Sequence, residues 1–172
     1  MCLQCRDGLH PVPDRVLAGG VRLISGFDHT GPAKTLVHHL KYRGITKYAD
    51  LVAAILAPRT PPVPLVPIPR AWTRRVKYGI DPGRALAARL SALTGAPVAP
   101  VLGAPLHSRR RAGGDHRRPV GPFKVHGPLP RAVVLVDDVV TTGATLEAAI
   151  ESLGVERVRM AIAANAVAGA GR

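Results

Sequence analysis

Residues 133–145 read VVLVDDVVTTGAT, and this stretch decides the fold. The apolar run at 132–136 predicts a buried strand, and two adjacent carboxylates, Asp137 and Asp138, follow at its carboxyl end. A hydroxyl- and glycine-rich turn then opens a helix, which the spacing of its apolar residues places over 142–153. A buried strand that passes through a short turn into a helix is typical of α/β domains.

The same alternation of strands and helices runs through most of the chain. Four further apolar runs predict strands or strand ends, at 21–27, 63–69, 98–102 and 155–163. Three apolar periodicities predict helices, from Gly31, from Tyr48 and around Leu86–Leu93. This order predicts an α/β fold whose parallel sheet is covered by helices on both faces. Ligands of such sheets bind beyond the carboxyl ends of the strands, here the loops at 69–81, 106–120 and 137–145.

Composition narrows the classes of ligand. The chain has 172 residues, which suits one domain, and its 24 basic against 11 acidic residues give a net charge of +13. Such an excess indicates a polyanionic ligand, either nucleic acid or a phosphorylated small molecule, or else a basic surface that is only solvated. Aromatic residues make up 3% of the chain, which argues against an extensive base-stacking platform.

The sequence argues against membrane and secreted classes. No apolar run approaches the about 18 residues that cross a bilayer. The first ten residues, MCLQCRDGLH, contain no hydrophobic signal region, and two cysteines do not make a secreted disulfide framework. We therefore expect a soluble, cytoplasmic protein without membrane insertion.

The residues after the central strand suit a ribose 5-phosphate. Adjacent carboxylates at a strand end can accept hydrogen bonds from a vicinal diol, such as the two ring hydroxyls of ribose. The turn after them can direct backbone N–H groups and threonine hydroxyls at one anion, because Gly143 allows close approach or a positive φ. The amino terminus of the following helix favours phosphate as well. A diol site and a phosphate site therefore lie a few residues apart.

Two other readings of this stretch are open. One is an ordinary strand, turn and helix whose threonines cap the helix and whose acids are solvated. The other is a nucleotide hydrolase, since an apolar strand that ends in aspartate occurs in such enzymes. That second reading needs a GxxxxGK[ST] loop, which the sequence lacks, and it contains no GxGxxG either.

The order of apolar strand, two acids, two apolar residues and T-T-G-x-T resembles the phosphoribosyl pyrophosphate signature of type I phosphoribosyltransferases. The resemblance implies their fold, a parallel sheet with helices on both faces and a small hood. It implies that Asp137 and Asp138 are catalytic and bind the ribose hydroxyls. The 5-phosphate would be held by the turn residues, Thr141, Thr142, Gly143, Ala144 and Thr145. Hypoxanthine-type members carry aspartate at the position of Thr141, so this threonine argues against hypoxanthine or guanine as substrate.

Two further motifs narrow the resemblance. The chain contains LKYRG at 40–44 and PIPR at 67–70 in addition to DDVVTTGAT. With these three motifs, residues 20–163 resemble the ComF family of competence-associated phosphoribosyltransferase-like proteins. The resemblance implies that Pro69 and Arg70 bind pyrophosphate, and that residues 107–120 form a hood over the site. The ligand would be phosphoribosyl pyrophosphate with Mg²⁺ as cofactor, and ribose 5-phosphate would pass to an unidentified nitrogen acceptor.

The hood segment contains arginines for which we predict catalytic roles, because arginines and Mg²⁺ would stabilise the charge that develops on pyrophosphate as it leaves. These are Arg110, Arg111 and Arg117. Gly113 and Gly114 would let this loop close. The alternatives are solvated surface charge or a track for a nucleic-acid backbone. The segment lacks the glutamine and asparagine that relatives often carry there, which leaves the acceptor and turnover itself open.

We divide the chain into three segments. Residues 1–20 are predicted to be the remnant of an amino-terminal CxxC, zinc-ribbon-like segment, 21–165 the phosphoribosyltransferase domain, and 166–172 a flexible tail. Cys2 and Cys5 have zinc-knuckle spacing, but tetrahedral zinc needs four ligands, so we predict no protein metal site.

Two rival functions stay open. One is a non-catalytic accessory protein of DNA uptake that binds single-stranded DNA or competence proteins. The other is a sensor that binds phosphoribosyl pyrophosphate without turnover. A homodimer is compatible with each of these functions.

Overall fold

A five-stranded sheet forms the centre of the computed structural model, which describes residues 6–43, 46–70, 79–103 and 122–168. The strands are β1 (Arg15–Val16), β2 (Arg22–Asp28), β3 (Leu65–Pro67), β4 (Leu102–Gly103), β5 (Lys124–Val125), β6 (Val133–Val140) and β7 (Val158–Ala166). The α-helices are α1 (Gly31–Arg43), α2 (Lys47–Leu56), α3 (Pro82–Thr94) and α4 (Ala144–Leu153). The order in the central sheet is β1-β2-β7-β6-β3, and β4 and β5 form a separate antiparallel pair.

The central sheet is mostly parallel, as the alternating pattern predicts. Strands β2, β7, β6 and β3 run parallel, and a further parallel bridge joins Leu65 to Val98. Only the short edge strand β1 is antiparallel to its neighbour among these five. The carboxyl ends of β3 and β6 therefore meet at one edge, where the sequence predicts the ligand loops.

Helices cover both faces of the sheet, which confirms the predicted α/β architecture. Successive residues of β6 point to opposite faces, so Leu135 packs in the core beneath α4 and Val136 packs in the core beneath α1, α2 and α3. Both side chains are fully buried. A strand that is buried on both faces has a continuous run of apolar residues and not an alternating pattern. This explains the uninterrupted apolar run VVLV in the sequence.

Several element boundaries differ from the predicted ones, and three of the differences have a clear physical reason. The predicted strand 98–102 is reduced to the bridge at Val98 and the two-residue strand β4, because Pro97 and Pro100 cannot donate to a strand ladder. Strand β6 continues through the acids to Val140, which pairs with Ala166. Helix α4 begins at Ala144 instead of Thr142, because Gly143 before it has a φ of 95°.

The amino-terminal residues that the structure describes pack against the sheet. Strand β1 pairs with β2, and Val12 and Leu17 are buried in the same core as α4. The structure does not describe Cys2 or Cys5. Within the described ranges, no helix combines the length and the apolar character that a membrane crossing needs.

Candidate functional site

A cavity of about 290 Å³ lies at the carboxyl ends of β3 and β6. The polar part of its wall consists of Lys41, Arg70, Asp81, Asp137, Asp138 and Thr145. Pro69 lines the same cavity, so the structure brings the predicted pyrophosphate residues and the predicted ribose acids into one space. Two basic and three acidic side chains thus line one cavity whose volume suits a small ligand.

The two acids form a tight, partly buried pair near the carboxyl end of β6, two residues before the strand ends. The Asp138 N–H donates to Asp137 Oδ1 over 2.7 Å, and Lys41 Nζ lies 3.1 Å from Asp138 Oδ2. Burial, with the neighbouring Asp138 charge as the second cause, raises the pKa of Asp137 to about 8. The pair therefore carries less negative charge at neutral pH than two ordinary aspartates, and it gains charge when a ligand supplies hydrogen-bond donors or a cation.

The predicted phosphate turn surrounds a smaller cavity of about 30 Å³, lined by residues 139–146 and by Asp137. A single water needs roughly 10–15 Å³ on this measure, so the recess has room for a small ligand group. Thr141 and Thr142 are exposed, and the Thr142 hydroxyl accepts a hydrogen bond from the Ala144 N–H. The first turn of α4 begins here, and the first N–H groups of a helix lack partners inside it. The start of α4 and the exposed hydroxyls beside it thus lie at the end of the helix where an anion is favoured.

Gly143 is required by the shape of this turn. Its φ of 95° is strained for any residue with a Cβ, and a Cβ there would lie 3.0 Å from Leu17 Cδ2. Arg15 supports the turn from the other side, since its Nη1 donates to the carbonyl of Thr141 over 3.1 Å. The Nε and Nη2 atoms of Arg15 are buried. A residue of β1, far away in sequence, therefore holds the backbone of the predicted phosphate turn.

The predicted pyrophosphate turn is fixed to the central strand and to the start of α3. The Ile68 N–H donates to the Val136 carbonyl over 2.8 Å, and the Arg70 N–H donates to Asp81 Oδ2 over 3.2 Å. Asp81 also caps α3, because its Oδ1 accepts from the Arg84 N–H. These contacts hold Pro69 and Arg70 across the cavity from the acid pair.

Helix α3 approaches the strand ends closely. A Cβ at Gly83 would lie 3.2 Å from the carbonyl oxygens of both Ile68 and Val136. The glycine therefore allows the amino terminus of α3 to reach the cavity floor, where Asp81, Pro82 and Gly83 line the wall. The D-P-G sequence before a helical pattern is the signal that identifies this start in the chain.

A buried polar cluster supports the adjoining strand ends. Asn165 on β7 donates from Nδ2 to the Ala33 carbonyl over 3.0 Å and accepts a hydrogen bond from the Tyr48 hydroxyl. The same Nδ2 lies 3.1 Å from His29 Nδ1. The pKa of His29 is lowered, mainly because the ring is partly buried and secondly because the positive charge of Lys41 lies nearby. The cluster ties α1 and α2 to the sheet beside the acid pair.

Sequence reasoning missed three residues of this site. Lys41 and Asp81 line the cavity, and Arg15 supports the phosphate turn. Lys41 lies within the LKYRG motif, which indicated the family resemblance but no role in the site. No pattern in the sequence connects Arg15 to Thr141.

The predicted hood residues Arg110, Arg111 and Arg117 lie outside the described residues, so their roles stay predictions. The chain on either side of that segment is described: Gly103 in β4 pairs with Lys124 in β5. The described strands that flank the segment are therefore neighbours in space.

Comparison of the sequence with protein-family models gave no match, and a search of curated proteins gave none at the significance required.

Proposed function

We propose that this protein binds phosphoribosyl pyrophosphate with Mg²⁺ on a type I phosphoribosyltransferase fold and transfers the ribose 5-phosphate to a nitrogen acceptor. One observation carries the proposal. The acid pair of β6 lies in one cavity with the basic turn after β3, and the anion-binding turn before α4 directly adjoins it. Those three parts match the diol, the pyrophosphate and the 5-phosphate of a single molecule.

The acid pair binds the ribose. Asp137 and Asp138 accept hydrogen bonds from its two ring hydroxyls. A hydrogen bond to a carboxylate contributes about 1.5–3 kcal/mol, and for Asp137 this gain is reduced by the cost of ionising a carboxyl whose pKa is raised. The Asp137 carboxyl is already held by the Asp138 N–H, so its orientation is set before the ligand arrives. This arrangement gives the site its preference for a sugar with free adjacent hydroxyls.

The turn before α4 binds the 5-phosphate. Its small recess adjoins Asp137, so a phosphate there lies next to a diol bound at the acids. Thr141 and Thr142 supply hydroxyl donors, and the start of α4 supplies backbone N–H groups.

The turn after β3 binds the pyrophosphate. Arg70 lies in the cavity wall, and its own backbone is fixed by Asp81. Mg²⁺ prefers oxygen ligands and keeps several waters, so it would be held mainly by the pyrophosphate oxygens while Asp138 accepts hydrogen bonds from its hydration shell. The ion would neutralise charge on the leaving group. In the parts of the chain that the structure describes, no group of three or more His, Cys, Asp or Glu side chains is placed to hold a metal by itself.

The reaction exchanges one bond at the anomeric carbon. The bond from that carbon to the pyrophosphate oxygen breaks, and its electron pair leaves with pyrophosphate. A lone pair of the acceptor nitrogen forms the new bond, and the proton on that nitrogen is released. Positive charge develops on the ribose in between, close to the acid pair, while negative charge develops on the pyrophosphate near Arg70 and the arginines predicted for the hood.

A screen of purine and pyrimidine bases for pyrophosphate release tests the catalytic part of this proposal. The protein is incubated with phosphoribosyl pyrophosphate, Mg²⁺ and each base in turn, and released pyrophosphate is measured. Release that depends on one base identifies the acceptor. Binding of the sugar phosphate without release for any base would replace the enzyme with a sensor of the same ligand.

A further inference from the structure

We propose that Lys41 is a pyrophosphate-binding residue that neutralises Asp138 while the site is empty and donates to the pyrophosphate when the sugar phosphate binds. This inference rests on the proposed function, because it takes phosphoribosyl pyrophosphate as the ligand. It adds to the site a residue from α1, an element outside both signature turns.

Lys41 connects the two sides of the cavity. Its backbone carbonyl accepts a hydrogen bond from Arg70 Nη1 over 2.9 Å, which fixes the end of α1 to the pyrophosphate turn. Its ammonium group lies 3.1 Å from Asp138 Oδ2, on the ribose side. The side chain therefore spans the space between the predicted pyrophosphate position and the acid pair.

Charge balance gives the Lys41 ammonium group a role both in the empty site and in the ligand-bound site. Without a cation, an anionic pyrophosphate that enters beside Asp138 would meet a carboxylate in a partly buried site, where like charges repel strongly. Lys41 removes that repulsion, because its three N–H donors can serve a phosphate oxygen and the Asp138 carboxylate together. Its flexible stem lets the ammonium move towards the ligand without a change in the backbone.

The ion pair differs from the exposed ion pairs of this molecule. The Lys41 and Asp138 side chains are 24% and 17% exposed, and both line the cavity, whereas Arg89 and Asp50 are 47% and 51% exposed. An exposed pair contributes little to stability, and its partners are readily hydrated. A lysine that is held in a cavity beside an acid pair is instead placed to receive an anion.

Lys34 provides a matched control. It lies on α1 as well, is exposed and carries the same charge, so Lys34→Met changes the net charge of the protein as Lys41→Met does. Lys41→Arg is the second variant, since it keeps the positive charge in the cavity. Thermal unfolding of each variant, compared with the unchanged protein, checks that it folds.

The test measures binding of three probes by calorimetry: phosphoribosyl pyrophosphate with Mg²⁺, pyrophosphate with Mg²⁺, and ribose 5-phosphate. We expect Lys41→Met to weaken the first two by about 10- to 100-fold, as loss of a charge-assisted hydrogen bond would. Ribose 5-phosphate affinity changes by less than about threefold, the equivalent of ~0.7 kcal/mol. Lys34→Met leaves all three unchanged, and Lys41→Arg retains most of the pyrophosphate affinity.

Three other outcomes overturn the inference, and they differ in what else they overturn. Equal affinities for Lys41→Met and Lys34→Met would show that Lys41 does not touch the ligand, while the proposed function stands. Equal weakening of all three probes by Lys41→Met would show that the lysine only supports the fold of the site. Absence of binding by the unchanged protein to every probe would overturn the proposed function and this inference together.

Discussion

Replacing Asp137 with asparagine is expected to stabilise the empty protein at neutral and alkaline pH. Burial and the Asp138 charge raise the pKa of Asp137 from 3.8 to about 8 in the folded state. A carboxyl with a raised pKa contributes its full stability below the unfolded pKa, and that contribution is lost as the pH rises through the folded pKa. The unchanged protein therefore loses stability between about pH 4 and pH 8 through this residue, and Asp137→Asn does not.

The size of the effect follows from the two pKa values. They differ by about four units, and each unit corresponds to ~1.4 kcal/mol, so an upper bound is ~6 kcal/mol. Relaxation and water entry reduce the penalty of a charge in a site that opens to solvent, and we expect a gain of about 1–3 kcal/mol at pH 9. Asparagine keeps the acceptor oxygen that the Asp138 N–H requires, so the gain is not offset by a lost hydrogen bond.

Urea unfolding of both proteins between pH 4 and pH 9 measures this difference directly, because the titrations of all other groups largely cancel. Asp50→Asn is the control, since Asp50 is about half exposed in an ion pair with Arg89. We expect that control to change the free energy of unfolding by less than ~0.5 kcal/mol. If Asp137→Asn and the unchanged protein have the same free energy of unfolding at every pH, Asp137 titrates as an ordinary exposed acid and the description of the acid pair is wrong.

Three further predictions concern the two turns and the hood. Gly143→Ala puts a Cβ at a strained φ of 95°, so we expect it to cost about 1–3 kcal/mol of stability and to weaken ribose 5-phosphate binding. Gly95→Ala, at a φ of 75° with open space around it, should affect only stability. If Gly143→Ala and the unchanged protein bind ribose 5-phosphate equally well, the phosphate binds elsewhere. Arg15→Met removes the hydrogen bond to the Thr141 carbonyl, so we expect it to weaken the binding of ribose 5-phosphate by about tenfold and the binding of pyrophosphate hardly at all. Calorimetry with both ligands measures this difference. An equal loss of affinity for both ligands would contradict a local role of Arg15 in the turn. Substitution of Arg110, Arg111 and Arg117 by alanine is expected to lower turnover by orders of magnitude while the affinity for the sugar phosphate stays within about tenfold, because these donors act mostly in the transition state. Normal turnover of the triple variant would show that the three arginines are only surface charge.

The sequence predicts the central part of the fold well because strong local patterns specify it. The VVLV run is buried on both faces of the sheet, and Gly143 has the positive φ that its place in the turn suggests. The acids and the turn after them are contiguous in sequence, so their proximity needs no knowledge of the tertiary structure. The same holds for Pro69 and Arg70, which lie two and three residues after the end of β3.

The rest of the site depends on contacts between residues that are far apart in sequence. Lys41 approaches Asp138 only because α1 packs on the sheet and its last turn lies beside this part of β6. Strand β1 has two residues and no periodicity, so nothing in the sequence marks it or the contact of Arg15 with Thr141. The predicted strand at 98–102 follows apolar character alone, and the prolines there interrupt the ladder.

Calorimetric titration with phosphoribosyl pyrophosphate, in the presence and absence of Mg²⁺, tests the central claim most directly. The unchanged protein is compared with the double variant Asp137→Asn, Asp138→Asn, whose folding is checked by thermal unfolding. We predict saturable binding that Mg²⁺ strengthens, and its loss in the folded double variant, since neutral amides replace both carboxyl groups that would bind the ribose hydroxyls. Equal affinity of the two folded proteins, or no binding by the unchanged protein with Mg²⁺ present, would contradict the assignment of this cavity.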